Sequence, residues 1–158
     1  MEMDIVIAVA NVKELEERTP IINKLRDEVD NFFKNGWNET KRDEFNRLLS
    51  EISRLCPWDG VAYLSKSTFL IPFFFGDSDD DEIEFGKDKV EEFLELCSAA
   101  LEDKDMASVY LPTIDDDGYD EEYFSNLEDA QRAFERISDM MVDDDEDYVI
   151  KMTYFTCL

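Results

Sequence analysis

Apolar positions recur along the chain with two different periods, and the switches between those periods lay out its elements. Ile5, Val6, Ile7 and Val9 form a short β-branched run between Met3 and Ala10, the pattern of a buried strand. Helical spacing then takes over. Thr19 precedes Pro20 as an N-cap precedes a first-turn proline, Ile22, Leu25, Val29, Phe32 and Phe33 recur on one face, and Asn35-Gly36 supplies the stop. A second helix is predicted from Thr40 to Leu55, with Phe45, Leu48, Leu49, Ile52 and Leu55 inward and Pro57 ending it. Val61 to Leu64 and Thr68 to Phe75 are predicted strands. In the second of these Phe73, Phe74 and Phe75 would be packed on both faces, and Pro72 argues for an edge position or a bulge.

Further on, Lys87 to Asp103 carries Val90, Phe93, Leu94, Cys97 and Leu101 on one helical face, and Ala107 to Leu111 is a strand candidate. Ser125 and Glu128 form a capping box opening a helix with Leu127, Ala130, Phe134, Ile137 and Met141 inward. The final strand is Tyr148 to Thr156. The resulting order, β-α-α-β-β-α-β-α-β, predicts an α+β fold in a single domain over 1–158, with a mixed or antiparallel sheet of about five strands and about four helices.

Charge changes this picture more than size does. The 158 residues are 44% hydrophobic, enough for a real core, but 41 acids stand against 16 bases for a net charge of -25, and there is no histidine. A histidine base, metal ligand or pH switch is thereby excluded. Direct binding to nucleic acid or to an anionic membrane is electrostatically disfavoured, so a charged partner should be basic. Cys56, Cys97 and Cys157 have neither disulfide-framework nor metal spacing, which favours a reducing cytoplasm. The apolar run Phe69 to Phe75 falls well short of the roughly 20 residues of a membrane span, and Met-Glu-Met-Asp lacks a signal's basic start.

The acids are unevenly placed. Residues 1–75 hold 13 acids and 10 bases, whereas 76–158 hold 28 acids and 6 bases. Three blocks concentrate them: Asp77, Asp79, Asp80, Asp81, Glu82 and Glu84; Asp115, Asp116, Asp117, Asp120, Glu121 and Glu122; and the run Asp143, Asp144, Asp145, Glu146 and Asp147. Clean apolar periodicity between the blocks implies that the acidic half folds, with the blocks as loops. On the 87–103 helix, Asp88, Glu91, Glu92, Glu95, Glu102 and Asp103 fall within about 60° of one line, opposite the apolar stripe. They would span roughly 22 Å, about one charge per 4 Å, close to the 3.4 Å per charge of a DNA strand. Exposed helices ordinarily interleave acids with bases, as the second helix does with Asp43, Glu44 and Glu51 near Arg47 and Arg54. The acidic face has only Lys89 within its span.

Other chemistries fit poorly. Laid on a calcium-binding loop, Thr113 to Phe124 puts Asp115, Asp117 and Gly118 in register but leaves Thr113 and Phe124 at the two strongest ligand positions. Asp77 to Glu84 has Glu82 where the turn glycine belongs, so solvated loops are the favoured reading and no metal is expected. No Gly-rich phosphate loop, nucleophile elbow or zinc-hydrolase motif occurs. Cys97 faces a core, and Cys56 has no assignable base. Trp37 and Trp58 flank the second helix as partner anchors or half-buried core edges.

Small size, strong acidity, absent histidine and an α+β pattern together resemble the DNA-mimic inhibitors of anti-restriction and anti-CRISPR type, and also the immunity proteins that neutralise basic nuclease toxins. Phe33-Lys34-Asn35-Gly36-Trp37-Asn38 is similar to a segment of an acidic anti-CRISPR inhibitor. That class resemblance implies a non-enzymatic inhibitor without cofactor, whose carboxylates occupy the basic groove of a nucleic-acid-binding protein or nuclease. The expected contact surface is the first two blocks, Asp143 to Asp145, and Asp88, Glu91, Glu92, Glu95 and Glu102. A calcium-binding or carboxylate-based protein is the remaining alternative.

Overall fold

A computed structural model describes residues 2–113, 118–141 and 147–157, so that Asp115, Asp116, Asp117, Asp143, Asp144 and Asp145 lie outside the described residues. The elements in order are β1 (Glu2–Asn11), α1 (Val12–Lys34), α2 (Arg42–Leu55), β2 (Trp58–Leu64), α3 (Leu70–Phe74), β3 (Glu82–Phe85), α4 (Lys87–Glu102), α5 (Ala107–Tyr110), α6 (Glu121–Met140) and β4 (Tyr148–Cys157). The fold is α+β. Among the described residues four strands form one antiparallel sheet in the order β2-β1-β4-β3. The chain divides into two compact units, Ala10–Asp59 and the combination of Met1–Val9 with Gly60–Leu158.

The Ala10–Asp59 unit is a helical hairpin. Asn11, not Thr19, caps α1: its side-chain oxygen accepts the Glu14 N–H at 3.1 Å, so the helix starts directly where β1 ends. Pro20 lies inside the helix, where its ring deprives the Glu16 carbonyl of a donor. This stretch of α1 is largely exposed, and water can serve the carbonyl instead. Asn35 is the C-cap as the sequence indicates, and Gly36 follows with φ +85°, a left-handed turn that suits glycine. Phe45 of α2 holds the hairpin tip together, meeting Phe32, Phe33 and Trp37 edge-on at 6.0, 5.7 and 4.8 Å.

The other unit contains the sheet and the acidic half. Its core gathers Ile5, Ile7 and Val9 of β1, Ile150 and Met152 of β4, and the inner faces of α4 and α6. Phe74, Phe93 and Phe134, one each from α3, α4 and α6, meet pairwise at 4.8 to 5.2 Å, with Phe74 stacked on Phe134 at 7°. Two predicted strands are helical. Thr68 to Phe75 contains α3, because Pro72 falls in a first helical turn, where no N–H is needed, and the compact turn buries Phe69, Leu70, Phe74 and Phe75 together. Ala107 to Leu111 holds α5, closed by the Leu111 N–H donating to the Ala107 carbonyl at 2.8 Å. Among the described residues the sheet therefore has four strands rather than about five, and there are six helices rather than about four.

Two further expectations shift. The first acidic block is not wholly a loop: Glu82-Ile83-Glu84-Phe85 alternates as a half-buried strand and pairs antiparallel with β4, Glu84 opposite Lys151 and Phe85 opposite Ile150. α6 opens at Asp120, whose side chain accepts the Tyr123 N–H at 2.9 Å, a turn ahead of the Ser125 capping box. Tyr123 and Phe124 are buried, so the helix has to begin before them. Replacing Asp120 with Ala is expected to cost about 1 kcal/mol in urea unfolding, and Ser125→Ala under about 0.5 kcal/mol. The reverse order would restore Ser125 as the cap.

Candidate functional site

Helical periodicity carries the predicted α4 face into the structure. Val90, Phe93, Cys97 and Ala100 are buried on one side of α4, while Asp88, Glu91, Glu92, Glu95 and Glu102 are exposed on the other. Asp77, Asp79, Asp80 and Asp81 are exposed in the segment leading into β3, and Glu82 and Glu84 are exposed on that edge strand. Glu121 and Glu122 occupy the first turn of α6, where carboxylates also suit the positive end of the helix dipole. Asp120 has a structural duty as the cap.

Where the few bases go decides how much of this charge is cancelled. The unit of Met1–Val9 and Gly60–Leu158 holds 30 acids and 7 bases, against 11 and 9 in the hairpin. Lys89, the base within the α4 acidic span, places Nζ 4.2 Å from the centre of the Phe73 ring, and Lys104 lies 5.0 Å from that of Phe124. Lys66 pairs with Glu122 at 3.1 Å, and Arg132 pairs with Asp129. Lys151 faces Glu84 across the β3–β4 register. Among the described residues no salt bridge reaches Asp88, Glu91, Glu92, Glu95 or Glu102. The hairpin behaves differently: Arg54 hydrogen-bonds Glu51 and holds its carboxyl below the usual range.

The structure enlarges the acidic layer beyond the predicted residues. α6 packs beside α4, with Phe93 against Phe134 and Gln131 Nε2 donating to Ser98 Oγ at 3.3 Å. Its exposed side adds Glu128, Glu135 and Asp139, while Asp129 is paired with Arg132. The same 3.6-residue count that marked α4 would have found them, but Arg132 and Arg136 interrupt the series and make that face look ordinary. Phe33 and Trp37, from the segment similar to an anti-CRISPR inhibitor, lie at the tip of the near-neutral hairpin and are 64% and 45% exposed. Trp58 begins β2 and is half-buried.

A groove of about 700 Å³ runs between the end of β2 with its following loop and the side of α6. Lys66 shapes that loop with φ +55°, its carbonyl accepting from Asn126 Nδ2 at 3.4 Å. Among the described residues no group of three or more Asp, Glu or Cys is arranged to hold a metal ion, and no helix is long and apolar enough to cross a membrane. Comparison with protein-family models, curated proteins and solved structures finds no match to this chain.

Cys97 is fully buried, and that burial, with the Glu135 carboxylate adding to it, pushes its thiol from an ordinary 9.0 up to about 12. Burial likewise raises the Tyr123 phenol, whose hydroxyl donates to the Leu111 carbonyl at 3.1 Å. A small thiol reagent at about pH 8 is expected to modify exposed Cys56 and to spare Cys97 until the chain unfolds. Equal labelling of both in the native protein would contradict the burial. The folded state keeps the Cys97 proton where the unfolded state releases it. That contribution to stability is therefore complete below the ordinary thiol value of 9.0 and is lost as pH rises toward about 12. Urea midpoints at about pH 8 and pH 11 should fall accordingly.

Proposed function

We propose that this chain is a non-enzymatic inhibitor that presents the carboxylate layer of α4, α6 and the β3 edge to the basic groove of a nucleic-acid-binding protein. One observation carries the reading: the α4 carboxylates are exposed and lack salt bridges among the described residues, while Lys89, the base within their span, lies over an aromatic ring. From Asp88 to Glu95 the helix rises about 10 Å and displays four carboxylates, an axial spacing of roughly 3.5 Å per charge. A DNA strand presents one charge per 3.4 Å, so a groove lined with Lys and Arg meets a similar linear charge. Such a field steers a basic partner by long-range attraction and acts on association rate more than on residence time.

The second support is that, Asp88 in the first helical turn apart, these acids do nothing evident for the fold. They project from the far side of α4 from its buried stripe, and their mutual repulsion opposes folding. A face that lowers stability without packing gain is explained by use of its field.

Displacement of a labelled DNA duplex from purified basic nucleases and restriction enzymes tests the proposal. The triple change Glu91→Gln, Glu92→Gln and Glu95→Gln should slow association on the order of tenfold at low salt and flatten its salt dependence. The control set Asp43→Asn, Glu44→Gln and Glu51→Gln on the charge-balanced α2 should change it little. If the control set is the damaging one, or if the chain itself retains duplex in a gel shift, the mimicry reading fails.

A further inference from the structure

The two edges of the sheet are unlike. β3 is four residues long, carries Glu82 and Glu84 on its exposed side, and follows the Asp-rich segment 77–81. Short length and charge are the devices that keep an edge strand from pairing with another chain. β2, at the opposite edge, is seven residues long, and its stretch Gly60-Val61-Ala62-Tyr63-Leu64 has no charge at all. Among the described residues no strand pairs with its outer side. The end of this edge, beyond the single acid Asp59, opens at Tyr63 and Leu64 on the groove described above, whose wall continues through Ser65 and Ser67 of the following loop.

The facing wall is α6 from Asn126 to Asp139. Thirteen helical rises make it about 20 Å long, the length of roughly six extended residues at about 3.3 Å each. Its charge also selects an occupant. Arg132 is held by Asp129, which leaves Glu135 and Asp139 set against Arg136 in a unit of 30 acids and 7 bases. A second copy of this chain would bring the same excess of acid to the same edge and be repelled, whereas a segment bearing Lys or Arg is attracted.

We propose that the groove between β2 and α6 receives an extended, Lys- or Arg-bearing segment of a partner protein, which adds to the β2 edge as a fifth strand. Main-chain hydrogen bonds to β2 supply the pairing, and every second side chain of the segment points at the α6 wall, where Glu135 and Asp139 meet its basic groups. This site is independent of the α4 field, because it demands a particular backbone geometry of the ligand and not only its charge.

The test uses the full chain and a fluorescent eight-residue peptide alternating Thr and Lys, titrated by anisotropy at physiological salt. Two versions are N-methylated, one at every Thr and one at every Lys, so that charge is kept and one edge of the peptide cannot donate. The unmethylated peptide should bind, one methylated version should bind at least tenfold more weakly, and the other should retain its affinity. Binding should also shift amide NMR signals of residues 60–67 and 126–139. Glu135→Gln with Asp139→Asn should weaken the peptide several-fold, and the α4 triple change should leave the difference between the methylated versions intact. Equal binding of all three peptides, or shifts confined to α4, would mean attraction to acid alone and would overturn the proposal. Loss of the methylation difference in the α4 variant, or no binding by any peptide, would overturn it too.

Discussion

Phe74, Phe93 and Phe134 tie three helices into one core in a unit that carries 23 more acids than bases, and the rest of that unit depends on their cohesion. Fully burying an aromatic side chain of this size is worth about 1.5–3 kcal/mol, and each favourable ring pair adds about 0.5–1.5 kcal/mol. Exposed like charges one helical turn apart cost only about 0.2–0.5 kcal/mol per pair. Attraction is concentrated at the centre, where it is strong, and repulsion is spread over the surface, where water and salt weaken it. This separation lets a small fold tolerate so acidic a surface.

Two other aromatic rings of the same unit hold cations. Lys89 over Phe73 and Lys104 over Phe124 are held at core edges, so bases that could neutralise the outer face instead contribute to packing. The carboxylates of α4 keep their field, and the proposed role in occupying a basic groove rests on that separation. The hairpin follows the opposite rule, with nearly balanced charge, ion pairs such as Glu14 with Arg18, and aromatics exposed at its tip.

What could be read from the chain depended on how local its cause was. α4 emerged with its boundaries nearly intact because four buried positions at helical spacing and five outward acids reinforce one another. β4 was equally plain from its dense β-forming residues. Thr68 to Phe75 misled because a short apolar run suits strand or helix equally, and the deciding factor, the packing of Phe74 against Phe85, Phe93 and Phe134, belongs to distant residues. The alternation of Glu82-Ile83-Glu84-Phe85 was visible but hidden under the acid count. Asn11 was missed because strand passes into helix with no intervening turn residue, and Ser125 was a well-formed capping signal one turn too late. The acidic surface of α4 was legible. The α6 acids were masked by two arginines, and the groove beside β2 exists only once strand order and helix packing are both set.

The central claim, that surface repulsion opposes an aromatic core, is tested most directly by urea unfolding across a range of sodium chloride from about 10 mM to 300 mM, over which the Debye length falls from about 30 Å to under 10 Å. The account predicts that the unfolding midpoint rises with salt, and rises less in the Glu91→Gln, Glu92→Gln, Glu95→Gln variant, which should start from a higher midpoint. A midpoint that ignores salt or falls with it would mean that the acids are compensated within the fold, and would contradict the account.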